Sequence, residues 1–173
     1  MKTALSYLLI LVHIFSFSLN RSAFASERKL EIAMVLWRGE TEAEIGLKRG
    51  LEDLGYSAHY ELFDAGQDLK QLGSLLHTIS ENIETYDYIY TFGTTVSRRA
   101  KVVINGRVPQ IFNAVTDPVG AGIVKDSHDA GTLIGGASDG IPLSLQVEII
   151  LEVMEINRLG LFFNPREKNS MLI

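Results

Sequence analysis

The chain has 173 residues, 46% of them hydrophobic, and sets 16 Lys and Arg against 21 Asp and Glu for a formal net charge of -5. An acidic chain is a poor partner for nucleic acid or for anionic membrane surfaces. It contains no Cys, which excludes disulfides, zinc–thiolate sites, a cysteine nucleophile and a lipid-modified N-terminal cysteine.

The first element is a secretory signal over residues 1–25. Lys2 is its positive start, Ala4 to Leu19 (ALSYLLILVHIFSFSL) is its apolar region, and Ala23 to Ala25 (AFA) fits the small-x-small cleavage pattern. The apolar run is short for a membrane span and leads into a cleavage pattern, so removal is expected rather than anchoring, with a mature periplasmic protein starting at Ser26. Cleavage leaves 148 of the 173 residues, and loss of Lys2 and Arg21 leaves 14 basic against 21 acidic side chains, or -7.

The mature chain then alternates between two periods. Leu30 to Trp37 (LEIAMVLW) is an apolar run of strand length. Thr41 followed by Glu44 is a capping box, and Ala43, Leu47, Leu51 and Leu54 mark one face of the helix it opens. Gly55 stands where a helix C-terminus favours a left-handed residue. Ser57 to Phe63 is a second strand. A second helix follows, with Asp68 as N-cap and Leu69, Leu72, Leu76, Ile79 and Ile83 at helical spacing. Tyr86 to Phe92 is a third strand, TTVSRRAKVVI (Thr94 to Ile104) a third helix, and Gln110 to Val115 a fourth strand.

Short connections between alternating strands and helices predict right-handed crossovers and a parallel sheet with helices on both faces. Beyond Val124 the pattern becomes a polar turn, a short Gly-containing strand at TLIGGAS, a helix opened by Pro142, a strand over Arg158 to Asn164, and the start of another helix. The expected organisation is an α/β lobe over 26–140 and the opening of a second, incomplete α/β lobe over 141–173. A strand in a parallel sheet needs neighbours and covering helices, so this second part reads as truncated.

Five segments carry a family resemblance: GLKRGLEDLGY, YDYIYTFGTT, PQIFNAVTDPVGAGIV, LIGGASDGIP and LGLFFNPREKNS. Their order and spacing resemble the substrate-binding proteins of ABC importers, in the subfamily associated with tryptophan or tyrosine uptake; VTDPVGAG and NPREKNS are the most specific. The resemblance implies a type I periplasmic-binding fold of two lobes that close on a ligand between them. It also implies an amino-acid-like ligand and permease subunits as membrane partners.

Candidate ligand-binding residues lie at strand ends, where open α/β sheets bind ligands. Gly93, Thr94 and Thr95 fall between the third strand and third helix. Free backbone N–H groups and hydroxyls there suit a ligand carboxylate, although Thr94 or Thr95 could equally serve as a simple cap. Thr116 and Asp117 end the fourth strand. Asp117 could meet a ligand ammonium, or its carboxylate could close an Asp-Pro turn on nearby N–H groups. The resemblance implies that Asn164 and Glu167 occupy the equivalent strand end of the second lobe; a turn residue and a first-turn helix acid are the plainer alternative. Trp37 could stack on an aromatic or apolar ligand, or cap the core of the lobe.

Enzymatic motifs are missing from the sequence. It has no Gly-x-Ser-x-Gly elbow, no phosphate loop and no dinucleotide fingerprint, and no His stands at a strand end. His59, His77 and His128 lie on separate elements without metal-ligand spacing. The expectation is a binding module with no cofactor and no metal: an importer component or, alternatively, a sensor domain that signals to a membrane receptor, or a non-functional fragment.

Overall fold

A computed structural model describes residues 29–126, 128, 133–160 and 162. Five parallel strands form one sheet in the order β2-β1-β3-β4-β5, where β1 is Leu30–Leu36, β2 Ala58–Asp64, β3 Tyr88–Phe92, β4 Gln110–Asn113 and β5 Ile134–Gly136. The helices are α1 (Glu42–Asp53), α2 (Leu69–Glu81), α3 (Thr94–Ile104) and α4 (Leu143–Val153). This is the α/β architecture expected from the alternating pattern.

β1 explains why its sequence lacks an in-out alternation. It pairs with β2 on one side and β3 on the other, and helices cover both of its faces, so no face meets water. Ile32, Met34 and Leu36 point to one side, where Leu47 and Leu51 of α1 pack over them together with Tyr90 of β3. Ala33 and Val35 point to the other, into a core built from Leu72, Leu76 and Ile79 of α2 and Val96, Ala100 and Ile104 of α3. Each large aliphatic side chain buried there contributes about 1.5–3 kcal/mol relative to exposure.

The caps follow the sequence. Thr41 accepts from the Ala43 N–H at 3.2 Å while Glu44 takes the Thr41 N–H at 2.7 Å. Asp68 takes the N–H groups of Lys70 and Gln71 at 2.6 and 3.1 Å, and Gly55 is left-handed at φ 82°. Some boundaries differ. Leu54 is the C-cap of α1 and 75% exposed rather than part of the buried face. Ile83 is buried but opens a separate 3-10 turn, Ile83–Thr85. β4 ends at Asn113, two residues early, because Ala114 turns to φ 52°. Pro142 precedes the first turn of α4 as its N-cap instead of occupying it.

α4 leaves Leu145, Ile149, Leu151 and Val153 exposed, Val153 at 74%. The expected strand over Arg158 to Asn164 is not formed at Arg158, Leu159, Gly160 or Phe162. Its other residues, and the helix expected after it, lie outside the described residues.

Candidate functional site

The strand order reverses between β1 and β3. In an open parallel sheet such a reversal splays the adjoining crossovers to opposite faces and leaves a crevice at the carboxyl edge. Here that crevice is a cleft of about 340 Å³. Trp37 and Arg38 follow β1, Gln67 comes from the loop after β2, and Phe92 ends β3. Gly93 to Val96 open α3, Ala114 and Thr116 follow β4, and Asp139 follows β5.

The N-terminus of α3 supplies Gly93 to Val96 to this wall. Its N-cap is Gly93 at φ 84°, with no side-chain cap bond. A Cβ there would find open space, so the requirement for glycine comes from the backbone angle and not from crowding. Neither Thr94 nor Thr95 is the cap; they are the first two helical residues. The first-turn N–H groups therefore have no intrahelical acceptor and carry the positive end of the helix dipole. The Thr94 side chain is 4% exposed, and its Oγ1 lacks any hydrogen-bond partner among the described residues.

A buried polar network beneath the helix fixes its start. The Ser97 hydroxyl donates to the Gly93 carbonyl at 2.8 Å and lies 3.0 Å from Thr91 Oγ1. Gln110 Nε2 donates to Thr91 Oγ1 at 3.2 Å and to the Ser97 carbonyl at 3.0 Å. Every member is satisfied, so the network rigidifies the floor instead of destabilising it.

The sequence-derived candidates divide into three groups. Trp37, Thr94, Thr95 and Thr116 are brought together around the cleft. Trp37 also packs, half-buried, against the core under α2 and α3, as the core-capping alternative expects. Asp117 is not among the lining residues: its Oδ1 accepts the Gly120 N–H at 2.7 Å, closing the turn that follows Pro118. That turn is tight, since a Cβ on Gly120 would come within 2.1 Å of Asp117 Oδ2. Asn164 and Glu167 lie outside the described residues.

Arg38, Gln67, Ala114 and Asp139 were not singled out from the sequence. Asp139 could have been found by the logic applied to Asp117, because it closely follows a strand. The Ser138 hydroxyl, beside it, donates to the Thr116 carbonyl at 3.1 Å and so joins the loops after β4 and β5. Among the described residues no group of His, Asp and Glu could hold a metal ion.

A crevice at the reversal point of a parallel sheet, with an open helix N-terminus and acidic, basic and aromatic side chains around it, is the place where open α/β sheets hold small ligands. The chain matches the ABC transporter substrate binding protein family over residues 32–173, and it belongs to that family. The family is one of binding proteins. A "Tyrosine-binding protein" of Clostridioides difficile is 28% identical over 136 residues, 76% of this chain and 39% of that protein. A crystal structure of a conserved domain protein from Vibrio cholerae superposes with a TM-score of 0.74 at 26% identity, covering 83% of this chain and 50% of that one. The fold is also shared with a Streptococcus pneumoniae ABC domain in complex with L-Trp, at TM-score 0.63 and 23% identity over 70% of this chain and 42% of that one. This chain thus spans half or less of the length of each of these proteins. No helix among the described residues is long and apolar enough to cross a membrane.

Proposed function

We propose that this protein is the extracytoplasmic solute-binding component of an ABC importer, exported through a signal cleaved after Ala25, and that its cleft takes a free amino acid. The observation that carries this reading is the buried Thr94 hydroxyl, unpartnered at the open start of α3. A ligand carboxylate answers both deficits at once, accepting from Thr94 Oγ1 and from the first-turn N–H groups. Arg38, which also lines the cleft, adds positive charge to it.

The ligand ammonium needs an acid. Asp139 is the carboxylate lining the cleft, with Asp117 as the second candidate on the same sheet edge once released from its turn. Trp37 and Phe92 offer an apolar wall for the side chain, which suits an aromatic amino acid. The volume of about 340 Å³ lies within the roughly 300–1,000 Å³ usual for small-ligand sites. Asn164 and Glu167, in the 141–173 segment, would contribute to the opposing wall, and membrane permease subunits would receive the ligand. The tyrosine named for one relative and the L-Trp in another structure support an aromatic amino acid as the first ligand to test.

Calorimetric titration with a panel of L-amino acids tests the reading. Saturable binding of L-tyrosine or L-tryptophan, lost when the ligand carboxylate is converted to an amide, is the expected result. Binding that ignored the carboxylate, or none across the panel, would contradict it.

A further inference from the structure

Helix α1 carries one acid into the interior. Glu44 is fully buried over the face of the sheet formed by β1 and β3. Its Oε2 accepts from the Thr41 N–H at 2.7 Å and from the Thr41 hydroxyl at 2.6 Å, completing the capping box. The box needs only that oxygen. The other, Oε1, accepts from the Tyr90 hydroxyl at 2.6 Å, 46 residues along the chain.

The connection continues to the cleft. Tyr90 Oη accepts from Asn113 Nδ2 at 3.2 Å, and Asn113 Oδ1 accepts from the Ala114 N–H at 2.8 Å. The Asn113 carbonyl accepts from the Gly93 N–H at 2.9 Å. Asn113 therefore holds two cleft-lining residues, and both are left-handed: Gly93 at φ 84° and Ala114 at φ 52°. A left-handed alanine is strained, and such a conformation persists only where its surroundings over-determine it. The Asn113 carboxamide supplies that constraint and is itself oriented from behind by Tyr90. Burial first, then the bond to Glu44, raise the Tyr90 phenol above its ordinary value, so the proton it donates to Glu44 is held more firmly than in a free phenol.

We infer that Glu44 and Tyr90 are positioning residues for the cleft: through Asn113 they fix the left-handed wall at Ala114 and the N-cap at Gly93. The geometric part stands alone; its consequence for affinity rests on the ligand-binding reading proposed above.

The test compares Tyr90→Phe with Thr41→Ala, because both remove a hydroxyl from this network but only the first interrupts the path to Asn113. Amide hydrogen exchange supplies a readout that loss of overall stability would not produce. In Tyr90→Phe, exchange at Gly93 and Ala114 is expected to rise about five- to tenfold more than at Val35 and Ile89 in the central strands. In Thr41→Ala, all four amides should change together. If Tyr90→Phe does not fold, Glu44→Gln replaces it. With its one oxygen kept by the Thr41 N–H, the amide N–H2 faces Tyr90 and the charge-assisted bond accepted from the phenol is lost. A smaller rise of about threefold is then expected at the same two amides. Uniform acceleration in the folded variant, or none at Gly93 and Ala114, overturns the inference. In parallel, L-tryptophan is titrated into wild type and variant. If the wild type binds, the variant should bind about fivefold more weakly, and equal affinity would sever positioning from binding. If the wild type does not bind, the proposed ligand falls while localised exchange still supports the positioning role.

Discussion

Thr94→Val should make the ligand-free protein more stable and the liganded complex weaker. The Thr94 side chain is 4% exposed and its Oγ1 has no partner among the described residues. Leaving a hydroxyl buried and unpaired costs about 1–3 kcal/mol. Valine has nearly the same shape, and the two residues have similar helix propensities, so the substitution removes that cost without opening a cavity. Allowing for imperfect packing of the new methyl, a gain of about 1 kcal/mol is expected, or an increase of about 2–4 °C in Tm. Binding moves in the opposite direction. A hydrogen bond to a charged ligand group contributes about 1.5–3 kcal/mol, so affinity for an amino acid should fall by about ten- to a hundredfold. Urea unfolding gives the first quantity, provided the m-value is unchanged, and calorimetry gives the second. A lower urea midpoint for Thr94→Val would mean that the hydroxyl already has a partner in the free protein. A higher midpoint with unchanged affinity would mean that it does not face the ligand.

Gly93→Ala should cost about 1–2 kcal/mol in stability although the new methyl meets open space, because φ 84° is unfavourable for an L-residue; chemical denaturation with no loss would show that the N-cap can relax. Burial and the Glu61 hydrogen bond raise the Tyr86 phenol from 10.0 to about 12. A group with a raised folded-state pKa contributes its full stability below pH 10 and loses it as pH climbs towards 12. Tyr86→Phe should therefore flatten the alkaline loss of stability followed by tyrosinate absorbance and circular dichroism, and an identical alkaline profile would count against the shift. Asp139→Asn should weaken amino-acid binding by about ten- to a hundredfold, whereas Asp117→Asn, which keeps an acceptor for the Gly120 N–H, should change affinity much less; the reverse ranking by calorimetry would return the ammonium to Asp117.

The regular elements from β1 to α4 were legible because local chemistry sets them, whereas the strand expected over Arg158 to Asn164 is not formed at its described residues. Thr41 and Glu44, Asp68, and the apolar spacing of Leu72, Leu76 and Ile79 need no tertiary knowledge to interpret. The early end of β4 was not legible, since nothing in Asn113-Ala114-Val115 announces a left-handed alanine; the Asn113 carboxamide that holds it is itself oriented by Tyr90, on another element. The strand-end principle located the cleft edge but not the direction of each side chain. It selected Asp117, whose carboxylate turns back onto Gly120, and passed over Asp139, which lines the cleft. Glu44 read only as a capping-box acid because its second partner, Tyr90, lies on another element. Periodicity identifies which residues are apolar neighbours, but buried polar pairings across elements leave no periodic trace.

Backbone amide NMR during titration of L-tryptophan tests the central claim most directly, because it locates a ligand residue by residue. The account predicts the largest saturable shifts at Thr94, Thr95 and Val96, with Ala114 and Asp139 moving along the same binding curve. Shifts centred instead on the outer groove between α2 and α3, around Arg98 and Val102, with the start of α3 unmoved, would contradict it.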